Sequence, residues 1–156
     1  MKNHIYKINL EWTGNKSSGT FDYRSYSRDH EATAHEKYGK IFCSSDSNFR
    51  GDASRYNPEE LFLSSISSCH MLWYLHLCSI NHIIVLEYVD KPRGTMIESE
   101  NGSGHFSSVT LHPQVIVSEI NMIEKANALH HEANKMCFIA NSCNFDIGHE
   151  PRTTAK

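Results

Sequence analysis

The chain has 156 residues, with five cysteines, 11 histidines, and 18 acidic against 15 basic residues. That length fits one domain, 1–156, able to bury a core without disulfide staples. The even charge, with no basic stripe, argues against nucleic acid as a partner, and no apolar run approaches the roughly 20 residues of a membrane span.

The opening MKNHIYKINLEW lacks the apolar core of a signal peptide, so a cytoplasmic protein is expected. In a reducing cytosol five cysteines without a CxxC pair do not build structural disulfides. Ile5–Trp12 alternates apolar and polar residues, as does GTFDYRSYSR over 19–28; both are predicted strands. The polar stretch SSDSNFRGDASRY, 44–56, is predicted to be a loop.

A long helix follows. Asn57 suits the N-cap, Pro58 the first helical position, and Glu60 the reciprocal bond of a capping box, which leaves Glu59 without a local task. The helix is predicted to run to about Asn81. Its half MLWYLHLC is apolar nearly all round, which calls for cover on every side, most simply from a second subunit. Strands are predicted in HIIVLEYVD, GTMIESE and FSSVTLHPQVIVS, with NGSG turning a hairpin. A second helix is predicted with Asn121 as cap, Glu124 three residues on, and Met122, Ala126, Leu129, Ala133 and Met136 on one face. A last strand is expected in NFDIGHE. Strands, helix, strands, helix, strand is an α+β order, with segregated elements.

Cys69 lies mid-helix on a face with Phe62, Ile66, Trp73 and His76; Ser65 and Ser68 leave room beside it. Cys78 falls half a turn away, on the opposite face, and reads as a small buried hydrophobe. Cys43 and Cys143 read as space-fillers. Cys137 ends the second helical stripe. Buried filler and a redox pair are both open for Cys69 and Cys137, the latter if their Cα atoms come within about 7 Å. His70 reads as a packed core histidine. His76 shares the Cys69 face two turns away, too far for direct contact. A rival reading joins Cys69, Cys137 and one or two histidines as N and S ligands for zinc, although no CxxC or HxxxH spacing occurs.

NPEELFLSSISSCHMLWYLHLC resembles the central helix of the OsmC/Ohr family, the osmotically inducible protein C and organic hydroperoxide resistance group. ALHHEANKMCFIANSCNF resembles the family's second signature, and LEWTGN, FRGD and the final strand are similar to the OsmC branch. The resemblance implies an α+β OsmC-like fold with antiparallel sheets around a long central helix. It implies an intertwined homodimer that reduces organic hydroperoxides with two cysteines, no cofactor and no metal, and is recycled by an external dithiol. Cys69 matches the cysteine that attacks peroxide, Cys137 the one that resolves, and Glu59 the glutamate that holds a catalytic arginine. Two positions depart from the family: Phe138 stands where many members have proline after the resolving cysteine, and no arginine aligns where the OsmC type carries one. Arg28, in YSRDH, is the favoured arginine, with Arg50 and Arg55 as alternatives. Phe62, Ile66 and Trp73 are expected to line the substrate site. The other reading of this fold is a non-catalytic dimeric protein that binds a small apolar ligand or a metal.

Overall fold

The computed structural model describes residues 2–156. Its chain forms two compact units, Met1–Leu61 and Phe62–Lys156.

In the first unit, β1 (Asn9–Trp12), β2 (His30–Thr33) and β3 (Ile41–Cys43) form an antiparallel sheet in that order. The strand expected over 19–28 is instead a run of turns and bends. Local side-chain bonds outcompete a ladder there. Asn15 Oδ1 accepts from the Ser17 and Gly19 amides at 3.0 Å each, Asp22 Oδ1 accepts from Arg24 N at 2.7 Å, and Ser25 Oγ donates to the Asp22 carbonyl at 2.8 Å. The loop over 44–56 holds one 3₁₀ turn, Ser47–Phe49.

The long helix α1 (Pro58–Ile80) begins at the end of the first unit and continues into the second. Its start is the expected capping box: Asn57 Oδ1 accepts from Glu60 N at 2.8 Å and Glu60 Oε2 from Asn57 N at 3.1 Å. Its end is a Schellman turn in which Ile83 N donates to Cys78 O at 2.9 Å and His82 takes the left-handed conformation, φ 58°.

The second unit holds two three-stranded sheets. β4 (Val85–Val89), β7 (Gln114–Val117) and β9 (Arg152–Ala155) make one; β5 (Arg93–Glu98), β6 (Gly104–Leu111) and β8 (Ile147–His149) make the other. β4–β7 and β5–β6 pair antiparallel, whereas β6–β8 and β7–β9 pair parallel. Gly102, φ 82°, supplies the left-handed residue of the NGSG turn between β5 and β6. The segment expected as one strand over 106–118 breaks at His112 and Pro113 into β6 and β7. β9 had no clear signal in RTTA.

The second helix, α2 (Ile123–Met136), starts later than expected. A 3₁₀ turn, Ile120–Met122, absorbs Asn121, and Met122 is the cap without a side-chain bond. Of the expected face, Ala126, Leu129 and Ala133 are buried, while Met136 is exposed. They pack with Tyr74, Cys78, Val115 and Val117 in one core cluster; Ile66, Val109, Leu111 and Ile147 form a second. Gly94 lets β5 lie close to α1, since a Cβ there would stand 2.8 Å from both Leu63 and Phe106.

Candidate active site

Along α1 the buried residues are Ile66, His70, Tyr74 and Cys78, a stripe spaced by four. Cys69 sits about 100° to one side of that stripe. It is therefore half-buried, at the margin of the core, and not in its middle. Its neighbours there are Leu72, Trp73, His76 and Phe138, which with Cys69 line a mainly apolar cavity of about 400 Å³. The Trp73 ring meets Phe138 edge-on at 5.7 Å and His76 at 5.8 Å.

This corrects two expectations about the lining. Phe62 and Ile66 belong to the second core cluster, Ile66 fully buried and Phe62 against Phe106 at 4.9 Å. His76 and Phe138 take their places, so His76 shares a cavity with Cys69 despite the two-turn separation. The sequence marks Phe138 as a departure beside Cys137, not as a lining residue.

Cys137 caps α2 at its C-terminus and is buried. The Ala140 amide donates to its sulfur at 3.4 Å. Burial, and then the neighbouring Cys69 side chain, push the Cys137 thiol up to about 11. Cys137 therefore stays a neutral thiol at physiological pH, while Cys69 meets the cavity. All five cysteines are free thiols. Cys43 and Cys78 are buried and Cys143 is half-buried; burial raises all three thiols, as fits filler.

His70 is a packed core residue, as expected. Its Nε2 shares a 3.0 Å hydrogen bond with His130 Nδ1, and both rings are fully buried. Burial holds both imidazoles below their ordinary range, with His149 adding to the effect on each. The zinc reading finds no matching arrangement: among the described residues, no group of three or more His, Cys, Asp or Glu side chains is placed to hold a metal ion.

The remaining expected residues lie in the first unit. The Arg28 guanidinium donates to the carbonyls of Tyr26 and Tyr23, at 2.8 Å each, and lies 4.2 Å from the centre of both rings. Arg55 faces Asp52 at 3.5 Å and Asp29 at 3.9 Å, and its Nη1 is buried without a partner. The Glu59 Oε2 is likewise buried without a partner.

The OsmC-like protein family model matches residues 51–150, which hold Glu59, Cys69 and Cys137. The chain belongs to the OsmC-like family. An OsmC-like protein of unknown function from Vibrio cholerae is 28% identical, with a TM-score of 0.83 over 97% of this chain and 100% of that one. An organic hydroperoxide resistance protein from Elizabethkingia anophelis matches the fold at 18% identity, TM-score 0.69, over 99% and 100% of the two chains. The organic hydroperoxide resistance protein of Bacillus subtilis does so at 16% identity, TM-score 0.61, over 94% and 98%. No curated protein matches the chain. No helix of this OsmC-like chain is long and apolar enough to cross a membrane, among the described residues.

Proposed function

We propose that this OsmC-like protein is a two-cysteine peroxidase that reduces organic hydroperoxides. The observation that carries the reading is the asymmetry of two neighbouring thiols: Cys69 half-buried on an apolar cavity, Cys137 buried and held neutral. Two structural neighbours that are organic hydroperoxide resistance proteins support it by fold.

The Cys69 thiolate attacks the terminal peroxide oxygen. The O–O bond breaks, the alkoxide leaves as an alcohol after taking a proton, and the sulfur, oxidised by two electrons, becomes a sulfenic acid. The Cys137 thiol then displaces the sulfenic hydroxyl, forming the Cys69–Cys137 disulfide and water. An external dithiol reduces the bridge. The cavity volume falls in the range of small-molecule sites, and its aromatic walls favour bulky organic peroxides over hydrogen peroxide. We assign to Glu59, whose Oε2 is buried without a partner, the holding of an activating arginine by a charge-assisted, forked contact. Arg55 suits this role better than Arg28, because Arg55 keeps a guanidinium nitrogen unpaired and Arg28 is engaged by two carbonyls and two rings. The proposed working form is a homodimer: Leu72 is 63% exposed and Ile80 59% exposed on α1, large apolar side chains that a second copy would cover.

The decisive test is intact mass after one equivalent of cumene hydroperoxide. Wild type should lose two hydrogens, Cys69→Ser should not change, and Cys137→Ser should trap a sulfenic acid. An unreacted wild type would instead favour a binding protein that uses the same cavity.

A further inference from the structure

Cys69 and Cys137 can bridge only while α1 and α2 hold one relative position. Tyr74 and Cys78 of α1 and Ala126, Leu129 and Ala133 of α2 share one apolar core cluster. Apolar contacts are non-directional and tolerate small slides. A buried directional contact also joins them: the 3.0 Å hydrogen bond between His70 Nε2 and His130 Nδ1. His70 directly follows Cys69, and His130 precedes Cys137 by two helical turns. The two ring planes are within 4° of parallel, and the Tyr74 ring stacks on His130 at 3.9 Å, so His130 is fixed along its edge and across its face.

The bond needs both rings neutral or sharing one charge, since one nitrogen must donate and the other accept. The outer nitrogens, His70 Nδ1 and His130 Nε2, are buried and unpartnered. Whichever ring donates, one outer nitrogen already carries a hydrogen, and a proton added to the other finds no acceptor there. The groups facing the pair are His149, whose ring lies 5.8 Å from His70 and 6.3 Å from His130, and Tyr74 and Tyr88, the latter 6.5 Å from His130. His149 Nδ1 and both tyrosine hydroxyls are also buried without partners.

We propose that the His70–His130 hydrogen bond is a positioning clamp that sets the Cys69–Cys137 approach and so the stability of their disulfide. It rests on the two-cysteine reading, and its test is independent of peroxide. The reduced protein is equilibrated with glutathione disulfide: two protein thiols become one bridge, and one glutathione disulfide takes the two electrons and two protons to give two glutathione thiols. The 69–137 bridge is read by peptide mass mapping. His130→Leu removes the bond but keeps bulk; His130→Asn places an amide near the Nδ1 position and restores it. The bridging constant should fall at least tenfold in His130→Leu, about 30 mV for a two-electron couple, and stay within threefold of wild type in His130→Asn. A folded His130→Leu with the wild-type constant, or equal losses in both variants, would overturn the clamp. If His130→Leu does not fold, ring-nitrogen NMR of the wild type decides. One protonated and one bare nitrogen across the bond, with a slowly exchanging proton, are expected; two bare nitrogens would overturn it. A chain inert to cumene hydroperoxide but with a His130-dependent constant would sink the peroxidase reading and leave the clamp standing. Failure to bridge at any glutathione ratio would sink both.

Discussion

Cys69 differs from Cys78 by position alone. Cys78 lies on the stripe that α1 buries, Cys69 one residue off it, and that rotation turns filler into a thiol that a substrate can reach. Phe138 shapes what reaches it. The ring is 69% exposed, yet it meets Trp73 edge-on and walls the cavity. An aromatic contact of this kind contributes about 1 kcal/mol, or roughly fivefold in rate where it acts on the transition state. Phe138→Ala should therefore lower kcat/KM for cumene hydroperoxide about five- to tenfold and leave tert-butyl hydroperoxide within twofold. Equal losses with both peroxides would remove Phe138 from substrate selection. The sequence singles out Cys69, Cys137 and Glu59 only through the OsmC/Ohr resemblance. It hid His130, because a bond between rings 60 residues apart leaves no periodic trace. It also misled on Phe62 and Ile66: a helical wheel says which residues share a face, but not which side of that face opens to a cavity.

At the scale of elements, α1 carries the site, and Asp90 ties it to the sheets. Asp90 Oδ2 accepts from Ser67 Oγ on α1 at 2.6 Å, while Oδ1 accepts from the His112 amide at 2.7 Å, between β6 and β7. Hydrogen bonds to a charged acceptor contribute about 1.5–3 kcal/mol each, less where water competes. Asp90→Ala should cost about 2–3 kcal/mol in urea unfolding, and Asp90→Asn, which keeps an acceptor, about half that. A cost below 0.5 kcal/mol for Asp90→Ala would mean that α1 is held by apolar packing alone. The helix was legible because Asn57, Pro58 and Glu60 are local signals for a local event. The segment 19–28 was misread because its alternation of rings is real, but Asn15, Asp22 and Ser25 bond their own backbone first. β9 was missed for the opposite reason. RTTA has little intrinsic pattern, and its strand exists through parallel pairing with β7, a tertiary cause.

For the molecule as a whole, the buried imidazoles tie stability to pH. His70, His130 and His149 are all held below the ordinary imidazole range, with burial as the largest cause and His70 down to about 4. Lowered folded-state values mean that the unfolded chain binds more protons as pH falls. The stabilising contribution is complete above about pH 6.5, the unfolded value. It is lost from there down toward pH 4, where His70 itself takes up a proton. Each such group contributes a slope of up to about 1.4 kcal/mol per pH unit within that window. Carboxylates add their own dependence only lower down, so the interval from pH 6.5 to 5 isolates the histidines. Urea midpoints should be flat from pH 8 to 7 and fall steeply from pH 6.5 to 5. The double variant His70→Gln with His130→Asn, which cannot titrate at either position, should keep less than half of that slope. If wild type and double variant lose stability in parallel over this interval, the buried pair is not the acid-sensitive element, and His149, also held low by burial, would have to carry the dependence.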